Sequence, residues 1–241
     1  MVLLLAALTT GCEPPGKPNP ADRPRLPDQV VSFDQLFATN CVGCHGVNGE
    51  RGPAPPLNNP LFVAIVPEDD LLNVIRHGRS DTPMPPFAQE WGGTLTDEQI
   101  KILAEGIRTK WKSDKSVAES LPPYAAIHNL NLLGATDDVK RGEELFARAC
   151  ATCHGDQGKG IKLAGRIENA INVPAFLALI SDQAVRRTII CGRQDLGMPT
   201  FADGKGRPND FKPLTSDEID ALVALIAHWR AAGSNLAQTD Q

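Results

Sequence analysis

Apolar residues recur along this chain at helical spacing in short bursts, separated by turn-forming stretches. Phe33, Leu36 and Phe37 fall at i, i+3 and i+4, so a short helix with one apolar face leads into Cys41. The runs Pro67 to His77 and Ser181 to Cys191 read as two further helices, stopped by Gly78 and Gly192. The strongest start signals come later in the chain. Thr96 with Gln99 and Thr215 with Glu218 form capping boxes, and Leu95/Ile100 and Leu214/Ile219 supply the matching hydrophobic staples. Each of these helices then presents one apolar stripe, through Leu103, Ile107 and Trp111 or through Leu222, Ile226 and Trp229.

The elements come in pairs because the chain is a duplication. Leu36-Phe37-Ala38 leads into Cys41 as Leu145-Phe146-Ala147 leads into Cys150, a shift of 109 residues. Pro60-x-Phe62-x-Ala64 matches Pro174-x-Phe176-x-Ala178 at a shift of 114. The same shift pairs Ile75 with Ile189, Gly78-Arg79 with Gly192-Arg193, and Met84-Pro85-x-Phe87-Ala88 with Met198-Pro199-x-Phe201-Ala202. Leu95-Thr96 pairs with Leu214-Thr215 at 119. Shifts that grow through insertions in turns, while the blocks stay in register, mean two copies of one fold. The reading is all-α, with domain 1 at 28–111, a linker at 112–136, domain 2 at 137–232 and a tail at 233–241. A content of 21 Gly and 20 Pro, with few β-branched runs, favours short helices and long turns over a sheet.

Residues 1–11 read as a signal peptide, since Met1 to Leu8 is apolar but far shorter than the roughly 20 residues of a membrane span. Gly11 before Cys12 resembles the bacterial lipobox, in which the Cys becomes the lipidated first residue; the alternative is a plain cleaved signal with an incidental Cys. Residues 12–27 hold Pro14, Pro15, Pro18, Pro20, Pro24 and Pro27. Such a segment is an extended spacer at about 3 Å per residue, so an anchor at Cys12 and the spacer explain each other. The expected location is the periplasmic side of a bacterial membrane, through a lipid anchor. Net charge is −5 over 241 residues, which argues against nucleic acid as a partner.

Six Cys and three Met carry the chemistry. Cys41-Val42-Gly43-Cys44-His45 and Cys150-Ala151-Thr152-Cys153-His154 are the attachment pattern of haem c. Two thiols at this spacing add to the two vinyl groups, and the adjacent imidazole reaches the iron. A zinc site would need further Cys or His ligands for each copy, and a thioredoxin-type dithiol would need a βαβ setting. Besides Met1 the chain has only Met84 and Met198, which are repeat-equivalent and lie 39 and 44 residues after His45 and His154. They are the candidates for the second axial ligand, and a thioether opposite His raises the potential. The competing role for either Met is a core gap-filler.

Each copy resembles a class I cytochrome c domain, through both haem pentads, both Met-Pro loops and the aromatic-ended last helix. The resemblance implies two covalently bound haem c groups held by Cys41, Cys44, Cys150 and Cys153, with iron ligated by His45/Met84 and His154/Met198. It also implies that a carbonyl in Ala54-Pro55-Pro56-Leu57 orients the Nδ1–H of His45. Ile161-Lys162-Leu163-Ala164 in the second copy has no Pro to do the same. Arg79 and Arg193 are candidates for haem propionates or solvated surface residues. His77, His128 and His228 read as ordinary helix or surface residues, and Cys191 as a small buried residue or a ligand-switching thiolate. Gly155 to Gly160 lacks the Ser/Thr and the preceding strand of a phosphate loop, and reads as the turn after the pentad.

The expected function is electron transfer between a membrane-bound respiratory or photosynthetic complex and a carrier or oxidase, either as a free protein or as a subunit. A di-haem peroxidase or a thiosulfate-oxidising cytochrome is the alternative. The former needs an iron with an open site, and the latter a Cys ligand such as Cys191. Residues 28–111 carry eleven acidic against six basic residues, and 137–232 thirteen of each. Domain 1 is therefore the expected docking site for a basic soluble carrier.

Overall fold

The computed structural model describes residues 24–80, 82–112, 119–125, 136–204 and 208–239, together with Gly16 and Asn19. Residues 1–11, read above as a signal peptide, and Cys12 and His128 lie outside the described residues. Ten α-helices are present among the described residues. The first copy contains α1 Phe33–Asn40, α2 Val42–His45, α3 Pro60–Ile65, α4 Glu68–His77 and α5 Asp97–Lys110. The second contains α6 Thr136–Ala149, α7 Ala151–His154, α8 Pro174–Leu177, α9 Asp182–Cys191 and α10 Ser216–Thr239. One element departs from the all-α expectation. It is a hairpin of β1 Ile161–Leu163 and β2 Arg166–Glu168, antiparallel, with Leu163 opposite Arg166.

Helix boundaries follow the capping chemistry. Thr96 Oγ1 accepts from the Gln99 amide at 3.3 Å while Gln99 Oε1 accepts from the Thr96 amide at 3.1 Å. Thr215 and Glu218 repeat this exchange at 3.3 and 2.9 Å. Ser181 caps α9 through the Ala184 amide, and Asn59 caps α3 through the amides of Leu61 and Phe62. Each cap satisfies donors that a helix start leaves without intrahelical partners.

In each copy the first helix crosses the last. Phe37 meets Trp111 edge-on at 5.4 Å between ring centroids, and Phe146 meets Trp229 in the same way at 5.1 Å. Leu36, Ile100, Leu103 and Ile107 bury the first crossing, and Leu145, Ile219, Leu222 and Ile226 the second. A glycine allows the approach in both cases, though on opposite helices. A Cβ on Gly106 of α5 would fall 1.9 Å from the Phe33 ring, and one on Gly142 of α6 would fall 2.3 Å from the Ala221 carbonyl oxygen.

The two copies touch through α3 and α9. Asn59 Nδ2 donates to the Cys191 carbonyl at 3.1 Å, Arg187 Nη2 donates to the Pro56 carbonyl, and Arg79 Nη2 donates to Ser181 Oγ at 2.7 Å. The linker contributes Tyr124, buried with its ring centroid 6.1 Å from that of Phe62. Its neighbour Pro123 offers its carbonyl to Arg186, which is fully buried and also paired with Asp220 and Ser216.

Candidate functional site

Each pentad sits at a bend between two helices. The Cys41 amide still bonds back to Phe37 at 2.9 Å, and the His45 amide bonds to Cys41 at 2.9 Å, so one short turn carries Cys44 and His45. Cys150 and His154 repeat both bonds at 2.8 and 2.9 Å. The two thiols of a pair differ in setting: Cys41 and Cys150 are half-buried, Cys44 and Cys153 exposed. Burial, followed by the neighbouring thiol, pushes Cys41 up to about 12 and Cys150 up to about 11.

The imidazoles are fixed by carbonyls, and here the copies diverge. His45 Nδ1 lies 3.0 Å from the Pro55 carbonyl, within the Ala54–Leu57 segment expected to provide it. His154 Nδ1 lies 2.7 Å from the carbonyl of Asn169, which follows the hairpin. A carbonyl can only accept, so each ring carries its proton on Nδ1 and keeps the Nε2 lone pair free for a metal. Burial lowers the His45 pKa, the Pro55 bond opposes that shift, and the charge of Arg187 adds to it. Asn169 is missed by the sequence reading, which looks for a Pro. Its φ of +57°, a conformation Asn tolerates, marks the sharp exit from the hairpin.

The Met loops are fastened alike. Arg79 donates its amide to the Met84 carbonyl at 3.0 Å, and Arg193 to the Met198 carbonyl at 2.9 Å. Phe87 and Phe201 tie the far ends to Ile75 and Ile189, each at 3.1 Å. Gly78 and Gly192, at φ +69° and +70°, precede each loop. A Cβ at either would approach the Met-Pro backbone to 2.5–2.7 Å. Neither arginine is a free surface group. Arg193 holds Asp195 through two bonds of 2.9 Å, keeping that carboxyl below its usual range, and Arg79 reaches Ser181 of the other copy.

In the second copy these parts line one apolar pocket that is partly open to solvent. Cys150, His154 and Met198 share its wall with Phe176, Ile189 and Leu222. An apolar lining with a thiol, an imidazole and a thioether on its wall is the donor set that fits a haem c. In the first copy Met84 is half-buried on a loop held by the same backbone bonds. Cys191 lines a different space, a crevice between the copies that it shares with Pro55, Pro56, Asn59 and Arg187. His77 packs against Trp91 on the surface, and His228 is exposed. Gly155 to Gly158 form the turn after the pentad rather than a phosphate cradle.

The family model for cytochrome c oxidase, cbb3-type, subunit III matches the chain twice, over residues 28–105 and 137–226. A cbb3-type cytochrome c oxidase subunit FixP of Azorhizobium caulinodans is 32% identical over 137 residues, covering 52% of this chain and 38% of that protein. The FixPc subunit of Rhizobium leguminosarum bv. viciae is 30% identical over 200 residues, covering 77% and 58%. The cytochrome bc1 complex cytochrome c subunit of Mycobacterium bovis is 27% identical over 241 residues, covering 98% and 79%. The chain thus spans 38% and 58% of the length of the two oxidase subunits. With both copies matched and a pentad in each, the chain belongs to the cbb3-type subunit III family of cytochromes c and is a tandem of two cytochrome c domains carrying two covalently bound haem c groups.

Proposed function

We propose that this di-haem cytochrome transfers single electrons between a membrane-bound respiratory complex and a carrier or oxidase. The observation that carries the reading is the convergence of Cys150, His154 and Met198 on one apolar pocket, with His154 held by Asn169. One-electron exchange with little rearrangement is the chemistry a bound haem c supplies. Cys41 and Cys44, and Cys150 and Cys153, hold it as thioethers. His45 and His154 present Nε2 while Pro55 and Asn169 keep their rings from turning. Met84 and Met198 would supply the thioether ligands and keep exogenous ligands out. Relatives that are subunits of cbb3 oxidase and of the bc1 complex support a membrane partner of the same kind. The lipobox-like Gly11-Cys12 and the Pro-rich spacer after it support attachment through a lipid on Cys12 at the periplasmic face; no helix among the described residues is long and apolar enough to cross a membrane.

The test is spectroscopic. Reduced-minus-oxidised spectra of the holoprotein should show two low-spin haems, each with a Met–iron charge-transfer band. Met84→Ala and Met198→Ala should each lower one potential, abolish one band and open one iron to small ligands. A natively high-spin haem, or a band that survives both substitutions, would overturn the ligand assignment.

A further inference from the structure

Arg187 is a buried charge whose contacts cross between the copies. It lies on α9 of the second copy yet makes its contacts in the first. Its guanidinium stacks 3.4 Å above the Phe62 ring centroid and donates to the Pro56 carbonyl. Pro56 directly follows Pro55, whose carbonyl receives the proton of His45. Arg187 is 7% exposed, and the cationic groups nearest it, Arg79 and Arg193, are of like sign. Burial lowers its pKa only to about 10, so it keeps its charge at neutral pH. Its neighbour Arg186 is neutralised by Asp220 in the ordinary way.

The repeat shows that this arrangement belongs to the docking of the copies and not to the fold. At the shift of 114, Arg187 occupies the position of Asn73, and Cys191 that of His77. Asn73 and His77 are exposed on α4, whereas Arg187 and Cys191 are buried on α9 against α3. Among the described residues no carboxylate pairs with Arg187, and a buried charge held mainly by a carbonyl and a ring is costly to retain. Here it stands beside the carbonyl that orients a haem ligand.

We propose that Arg187 is a potential-setting residue for the haem of the first copy, supplied in trans by the second. An oxidised haem iron carries one more positive charge than the reduced form, so a fixed cation in a low-dielectric setting disfavours oxidation. The Pro56 bond acts in the same direction. It draws electron density from the peptide next to Pro55, weakens Pro55 as an acceptor, and so reduces the donation from His45 to the iron. Both effects raise the potential of the first haem and leave the second, on the far side of α9, less affected. The two chemically alike domains are thereby set at different potentials.

The proposal rests on His45 ligating the first haem, which the wild-type absorption and magnetic circular dichroism spectra report independently of any potential. The experiment is a spectroelectrochemical titration of the full-length holoprotein, with the two haems assigned through Met84→Ala and Met198→Ala. Arg187→Met and Arg187→Gln should each move the first haem's oxidised-to-reduced ratio about tenfold towards oxidised, which is 59 mV for a one-electron couple. Arg187→Lys, which keeps the charge, should recover most of this shift. Asn59→Ser keeps the α3 cap, loses the bond to Cys191 and should leave the first potential unchanged. A shift under twofold in both neutral variants, an equal shift in both haems, or a Lys variant no better than Met would overturn the proposal. If Asn59→Ser moved the potential as far as Arg187→Met, docking rather than charge would be responsible, which also overturns it.

Discussion

Substituting Gly142 by Ala tests whether the helix crossing in the second domain is as tight as its geometry indicates. The added Cβ would sit 2.3 Å from the Ala221 carbonyl oxygen and 2.9 Å from Leu225 Cβ, so α6 and α10 must separate. Overpacking of this kind costs about 1–3 kcal/mol. The gain in helix propensity from Gly to Ala returns about 1 kcal/mol. The clash is with backbone that cannot swing aside, which places the cost in the upper part of that range, about 2–3 kcal/mol, and leaves a net loss of about 1–2 kcal/mol. Gly106→Ala is the matched control. Its clash is with the Phe33 ring, a half-buried side chain that can rotate, so propensity and strain should nearly cancel. Hydrogen exchange of the holoprotein resolves the two domains, which global unfolding of a tandem chain need not. Amides around Leu222 and Leu225 should exchange about 5- to 30-fold faster in Gly142→Ala. Those around Leu103 should hardly change in Gly106→Ala. If Gly142→Ala were neutral, or Gly106→Ala the costlier of the two, the reasoning from backbone against side-chain contact would be refuted.

Three further outcomes are expected. Cys12→Ser should release folded, haem-loaded protein into the soluble fraction, because a lipidated Cys carries more than the two hydrophobic signals stable anchoring takes; unchanged membrane retention would assign the anchor to a protein partner. Reversing Glu68, Asp69 and Asp70, which crowd the first turn of α4, should slow electron exchange with a basic carrier at low salt and matter little at high salt; rates indifferent to ionic strength would refute domain 1 as the docking face. Arg193 holds the Asp195 carboxyl below its ordinary value, so their contribution to the Met198 loop is fully present above the unfolded value of about 3.9 and is lost as pH falls through the lower folded value. The Met–iron band of the second haem should therefore bleach in that acid range, and Asp195→Asn should remove this pH dependence; a band equally acid-sensitive in the variant would exclude the pair as its cause.

The sequence made most of each domain legible, for physical reasons that differ from element to element. The capping boxes at Thr96 and Thr215 are local, so the chemistry seen in four residues is the chemistry found in the structure. The Cys-x-x-Cys-His pentads are equally local. The hairpin at Ile161–Glu168 was hidden because its signals are inverted. Ile167 is 70% exposed, and the turn uses Ala164 at φ +48° beside Gly165, where Asn or Asp would announce it. That hairpin moves the carbonyl for His154 to Asn169, beyond the reach of a search for the Pro55 pattern.

The contacts between the copies were illegible for a deeper reason, and it bears on how a duplicated cytochrome becomes asymmetric. Internal comparison reveals that position 73 and its equivalent 187 differ, Asn against Arg, but gives no hint of what either faces. The same helix register is solvent-exposed on α4 and buried on α9, because α9 lies against α3 of the other copy. Once one copy's helix is buried against the other, its outward positions come under constraints that its twin escapes. A cation placed there acts on the neighbour's haem pocket and cannot act symmetrically in return. Two domains of one fold thus acquire different redox environments through their interface, with both sets of Cys, His and Met left unchanged.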